Sequence, residues 1–133
     1  MLKRRTGSCH CGAVRFEVDV DLDAPTYRCN CSICSRTRFW PAIVQPADFS
    51  LLSGEMELRK YVFGNKANEH YFCRTCGVRP FGIGWTPDGA RIYGVNLGCL
   101  ENVTPEELAA APIVYVDGAH DRWDRPPPIT SYL

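Results

Sequence analysis

Seven of the eight cysteines in this chain stand in three short groups: Cys9-His10-Cys11-Gly12, Cys29-Asn30-Cys31-Ser32-Ile33-Cys34 and Cys73-Arg74-Thr75-Cys76-Gly77. Tetrahedral zinc, with Zn–S bonds of about 2.3 Å, needs its sulfurs roughly 4 Å apart, and a tight turn brings cysteines one or two residues apart to that spacing. Glycine directly after a pair, at Gly12 and Gly77, supplies the positive φ that such a turn requires. Isolated core cysteines would instead follow the period of a strand or helix. A disulfide framework is the other reading. It expects an oxidising compartment, whereas Met1 to Ser8 is basic with no apolar run behind it, so we expect a cytoplasmic protein with reduced thiols.

The seven candidates divide most naturally as four plus three. Cys9 and Cys11 with Cys73 and Cys76 would close one four-thiolate site, tying distant parts of the chain together. Cys29, Cys31 and Cys34 would form a second site with a fourth position open to water, substrate or another side chain. Spacing leaves the occupant of that position undecided: Cys99, His10, His70 and His120 are all candidates. Cys99, between Gly98 and Leu100, reads better as a buried thiol, and the histidines as surface or supporting residues.

These residues must be held by short strands. Val14, Phe16, Val18 and Val20 alternate with charged residues over Ala13 to Val20, the pattern of a half-buried strand. Further strands are predicted over Phe39–Val44, Leu58–Phe63, Asn68–Cys73, Phe81–Trp85, Arg91–Leu97 and Ile113–Asp117, separated by turn residues. One short helix is signalled near the C-terminal end, where Thr104-Pro105-Glu106-Glu107 offers a cap, a first-turn proline and a capping-box glutamate, and Pro112 stops it. The 133 residues read as a single domain, 1–133, of mainly β structure. Fifteen basic residues balance fifteen acidic ones, which argues against a nucleic-acid partner, and no apolar run approaches a membrane span.

The order Cys-x-Cys, Cys-x-Cys-x-x-Cys, Cys-x-x-Cys-Gly resembles the glutathione-dependent formaldehyde-activating enzyme family, also called the centromere protein V family. The resemblance extends through Gly7 to Val14, Leu52-Ser53-Gly54, Tyr61, Phe72 to Gly77, Val95 to Leu100 and Tyr115 to Trp123. It implies a β-tent-like fold of several short twisted antiparallel sheets, shared with a Rab exchange factor and chaperone. It also implies two zinc ions per chain: a structural one on Cys9, Cys11, Cys73 and Cys76, and a catalytic one on Cys29, Cys31 and Cys34. The type reaction adds glutathione to formaldehyde, a carbon–sulfur lyase reaction in reverse, so the implied partner is a small thiol such as glutathione.

After the trio this chain departs from many relatives, with Ser35-Arg36-Thr37-Arg38-Phe39-Trp40-Pro41 in place of small residues. Arg36 and Arg38 are candidates to pair with substrate carboxylates, and Phe39 and Trp40 to wall the pocket. The competing readings are a zinc-scaffolded binding module with both sites closed, and a thiol-redox sensor.

Overall fold

A computed structural model describes residues Met1–Leu133. Ten strands follow one another as β1 (Lys3–Ser8), β2 (Arg15–Val20), β3 (Thr26–Cys29), β4 (Pro41–Val44), β5 (Phe49–Ser53), β6 (Leu58–Tyr61), β7 (Glu69–Cys73), β8 (Phe81–Trp85), β9 (Arg91–Asn96) and β10 (Ile113–Val116). Helix α1 (Ser32–Thr37) lies between β3 and β4, and α2 (Pro105–Ala110) between β9 and β10. The mainly β expectation holds, and the seven predicted strands all form, most of them shorter by one or two residues.

The strands make two sheets. One has three strands in the order β1-β2-β5, and the other seven in the order β10-β3-β4-β9-β8-β7-β6. All pairings are antiparallel except β10 with β3, which is parallel and runs from Ile113 beside Thr26 to Val116 beside Cys29. That pairing brings the end of the chain alongside the start of the cysteine trio.

The alternation in β2 does what its period requires. Phe16, Val18 and Val20 are buried, and they pack with Ala42, Val44, Val95, Leu97, Cys99 and Ala111 between the two sheets. Phe49 of β5 stacks on Phe16 and on Tyr93, with centroids 5.4 and 4.8 Å apart, and so carries one aromatic stack from sheet to sheet.

Helix α2 starts as expected: Thr104 accepts from the Glu107 amide at 3.1 Å while Glu107 accepts from the Thr104 amide. Glu107 also pairs with the Arg5 guanidinium, whose Nη1 donates to the Asn102 carbonyl at 2.7 Å, so α2 is tied to β1. Helix α1 was not predicted. It is six residues long, and Cys31 itself is its cap, the sulfur accepting from the Cys34 amide at 3.5 Å. No helix is long and apolar enough to cross a membrane.

Candidate metal centres and active site

Cys9 follows the end of β1 and Cys73 is the last residue of β7, so the two outer pairs descend from different sheets. Each pair is folded by the same local device. The Val14 amide donates to Cys9 Sγ at 3.3 Å, Cys9 and Val14 close the turn by a backbone bond, and Gly12 takes φ +84°. On the other side Gly77 takes φ +76°, its amide donating to the Cys73 carbonyl at 2.8 Å. Cys11 Sγ lies 3.6 Å from Cys9 Sγ and 3.7 Å from Cys73 Sγ, and all four sulfurs fall within 4.8 Å of one another. Four such sulfurs can hold a metal ion.

The second group comes from one short stretch. Cys29 ends β3, Cys31 caps α1, and Cys34 sits in the first turn of that helix. The Cys31 amide donates to Cys29 Sγ at 3.3 Å, which curls the loop around the sulfurs. The three ligand atoms lie within 4.8 Å of one another, and no fourth His, Cys, Asp or Glu joins the group. Cys31 is held well below the usual thiol range because Cys29, then Cys34, donates to its sulfur, and Cys34 is pushed up by the same two neighbours.

A small pocket opens beside this trio. Its lining includes Arg28, Cys29, Cys34, Arg38, Phe39 and Tyr132. Arg38 reaches it because it ends α1 in the left-handed conformation at φ +52°. Arg36 does not line it: its Nη1 turns back to the Ser32 carbonyl at 2.8 Å. Trp40 packs against the main core, donates from Nε1 to Thr26 Oγ1 at 2.8 Å and carries the Arg28 guanidinium 4.9 Å above its ring.

The other side of the trio is formed by the turn after β10. A Cβ at Gly118 would overlap Cys29 Sγ and stand 2.8 Å from the Trp123 ring, so only glycine lets this turn lie against the sulfur. Asn30, between the first two cysteines of the trio, donates to Asp117 Oδ1 at 2.8 Å and accepts from the Ala119 amide at 2.9 Å. Asp117, 4% exposed, faces His120 Nδ1 at 2.9 and 3.0 Å. Asn30 and then His120 hold its carboxyl below the usual carboxylate range.

His10 is exposed, and Cys99 is buried in the main core, its thiol pushed up to about 11 chiefly by burial. Neither joins a cluster. Sequence reasoning missed Arg28, Asn30 and Gly118. Asn30 carried a signal in its place between two cysteines, and Gly118 in lying within the Tyr115 to Trp123 stretch of the resemblance.

The family model described as "Glutathione-dependent formaldehyde-activating enzyme" matches residues 4–117. A crystal structure of a Rhodobacter sphaeroides protein superposes with a TM-score of 0.70 at 36% identity, covering 82% of this chain and 99% of that one. A Halomonas elongata protein named "Putative glutathione-dependent formaldehyde-activating enzyme" is 61% identical over 31 residues, 23% of this chain. The matched segment spans 20% of that relative's length.

Proposed function

The chain belongs to the glutathione-dependent formaldehyde-activating enzyme family, and from that membership we propose that residues 1–133 act as one domain joining a small thiol to a small carbonyl. Glutathione and formaldehyde are the substrates the family name supports. The reaction is a carbon–sulfur lyase reaction in reverse, run with two zinc ions per chain.

The donor sets suit zinc. Both are made of soft sulfur ligands close enough to share one ion. Cys9, Cys11, Cys73 and Cys76 would hold a structural ion, and Cys29, Cys31 and Cys34 the ion at the reacting centre. Bound there, zinc would supply a Lewis-acid position that makes a thiol lose its proton near neutral pH.

The chain's own residues then have separate tasks. Arg38 and Arg28 offer positive charge to substrate carboxylates at the pocket mouth, and buried Phe39 excludes water from one wall. Asp117 holds the exposed His120 with Nδ1 toward the carboxylate, and the thiol proton passes to water. The sulfur lone pair forms the bond to the carbonyl carbon, the C=O π pair moves to oxygen, and that oxygen receives the proton. No oxidant or reductant is needed.

The observation that carries this reading is the trio itself: three sulfurs gathered with no fourth protein ligand, beside a pocket. A binding module would have both clusters closed. The test is zinc analysis of the purified protein, the absorption spectrum of the cobalt-substituted form, and NMR detection of the thiol–formaldehyde adduct. Two metals per chain are expected, with the spectrum of one changing on addition of glutathione. Two spectroscopically closed sites that ignore thiols would overturn the proposal.

A further inference from the structure

Arg79 is a strongly polar side chain beside the trio to which the reaction above gives no task. It stands between Cys76 and β8, its carbonyl accepting from Asn96 Nδ2 at 2.9 Å and from Cys99 Sγ at 3.8 Å. From there the side chain runs inward. Its Cζ lies 3.8 Å from the centroid of the Phe39 ring, and Phe39, 5% exposed, shares the pocket wall with Cys29 and Cys34.

Nη2 of Arg79 is 2.6 Å from His70 Nδ1. Arginine can only donate, so His70 must accept through Nδ1 and carry its proton on Nε2. Burial, and then Arg79, holds His70 below its usual range, which keeps the ring neutral. His70 therefore aims the guanidinium without cancelling its charge.

Two further nitrogens, Nε and Nη1, are sealed from solvent and have no hydrogen-bond partner, and no carboxylate pairs with Arg79. A guanidinium so placed is costly unless a negative charge stands near it. The Phe39 ring that Arg79 stacks on lines the pocket together with Cys29 and Cys34, so the trio is the thiol cluster that shares this wall with the guanidinium; burial pushes Arg79 down, and Cys34 and then Cys31 oppose this. Arg28 and Arg38 line the open pocket, whereas Arg79 lies behind its Phe39 wall.

We propose that Arg79, aimed by His70 and backed by Phe39, is the built-in counter-cation of the Cys29–Cys31–Cys34 trio, a positioning residue for the metal and for an anionic fourth ligand. This rests on the reading that the trio holds a divalent ion. Three thiolates around such an ion leave an excess of one negative charge, and a substrate arriving as thiolate would leave two. Arg79 lowers each by one, favouring both retention of the ion and entry of an anionic sulfur.

The test compares the wild type with Arg79→Met and Arg79→Lys by competition with a chromophoric zinc chelator and by the thiolate-to-cobalt charge-transfer bands. In Arg79→Met the dissociation constant of the weaker zinc equivalent should rise on the order of 10- to 100-fold, with a shift in the trio's cobalt bands. The tighter equivalent should be unchanged, and Arg79→Lys should recover most of the loss. Equal weakening of both equivalents, a Lys variant no better than Met, or wild-type affinity in the Met variant would each overturn the proposal. A wild type binding one equivalent only would instead sink the underlying reading of the trio, and this inference with it.

Discussion

Gly118 shows how closely single atoms govern the trio. The atoms that an added methyl group would meet are Cys29 Sγ and the Trp123 ring, and neither is the loose end of a flexible side chain. Gly118→Ala should therefore displace Cys29. We expect about tenfold weaker binding of the second zinc equivalent with little change in melting temperature, measured by chelator competition and calorimetry. At this scale the cysteine groups were legible from residue type and spacing, because a knuckle is a local structure built from two cysteines and a glycine. Arg36 and Arg38 look equivalent on paper. Helix α1 turns Arg36 onto Ser32 while the left-handed residue after it sends Arg38 to the pocket. Nothing local marks Arg79, which acts on a cluster whose nearest cysteine is 45 residues away in the chain.

Among the elements, α2 was the most readable, since Thr104, Pro105 and Glu107 sit in the order that a helix start needs. Its tie to β1 adds an acid-sensitive link. Arg5, and then the Thr104 amide, holds the Glu107 carboxyl below its usual value of 4.5. A depressed carboxyl contributes stability that is fully present above its unfolded value and is lost as pH falls through the folded one. Glu107→Gln should therefore lower stability at neutral pH, and the gap from wild type should close as pH falls below about 4.5; urea titrations across that range measure it. A gap independent of pH would refute the link. Strands β1, β3 and β5 escaped prediction: Lys3–Ser8 has no apolar alternation, and the other two are short. Helix α1, equally short, escaped because it has no first-turn proline or capping-box glutamate and is capped by a cysteine.

For the whole molecule, the two clusters are placed differently. Cys9, Cys11, Cys73 and Cys76 join the ends of β1 and β7, which lie in different sheets, whereas Cys29, Cys31 and Cys34 belong to one strand end and one helix turn. Cys73→Ser should unfold or severely destabilise the protein, as seen by far-UV circular dichroism and melting. Cys31→Ser should keep the fold and lose the second metal equivalent together with thiol-dependent turnover. Equal destabilisation by both substitutions would refute this division of labour. The amino-acid sequence by itself determined the knuckles, the mainly β pattern and the start of α2, because these depend on backbone preferences and side chains a few residues apart. Only the tertiary structure decided that Cys11 meets Cys73, that Gly118 lies on Cys29 and that Arg79 meets His70 and Phe39. Those contacts depend on strand order and on the parallel return of β10 beside β3, which no short window of sequence contains.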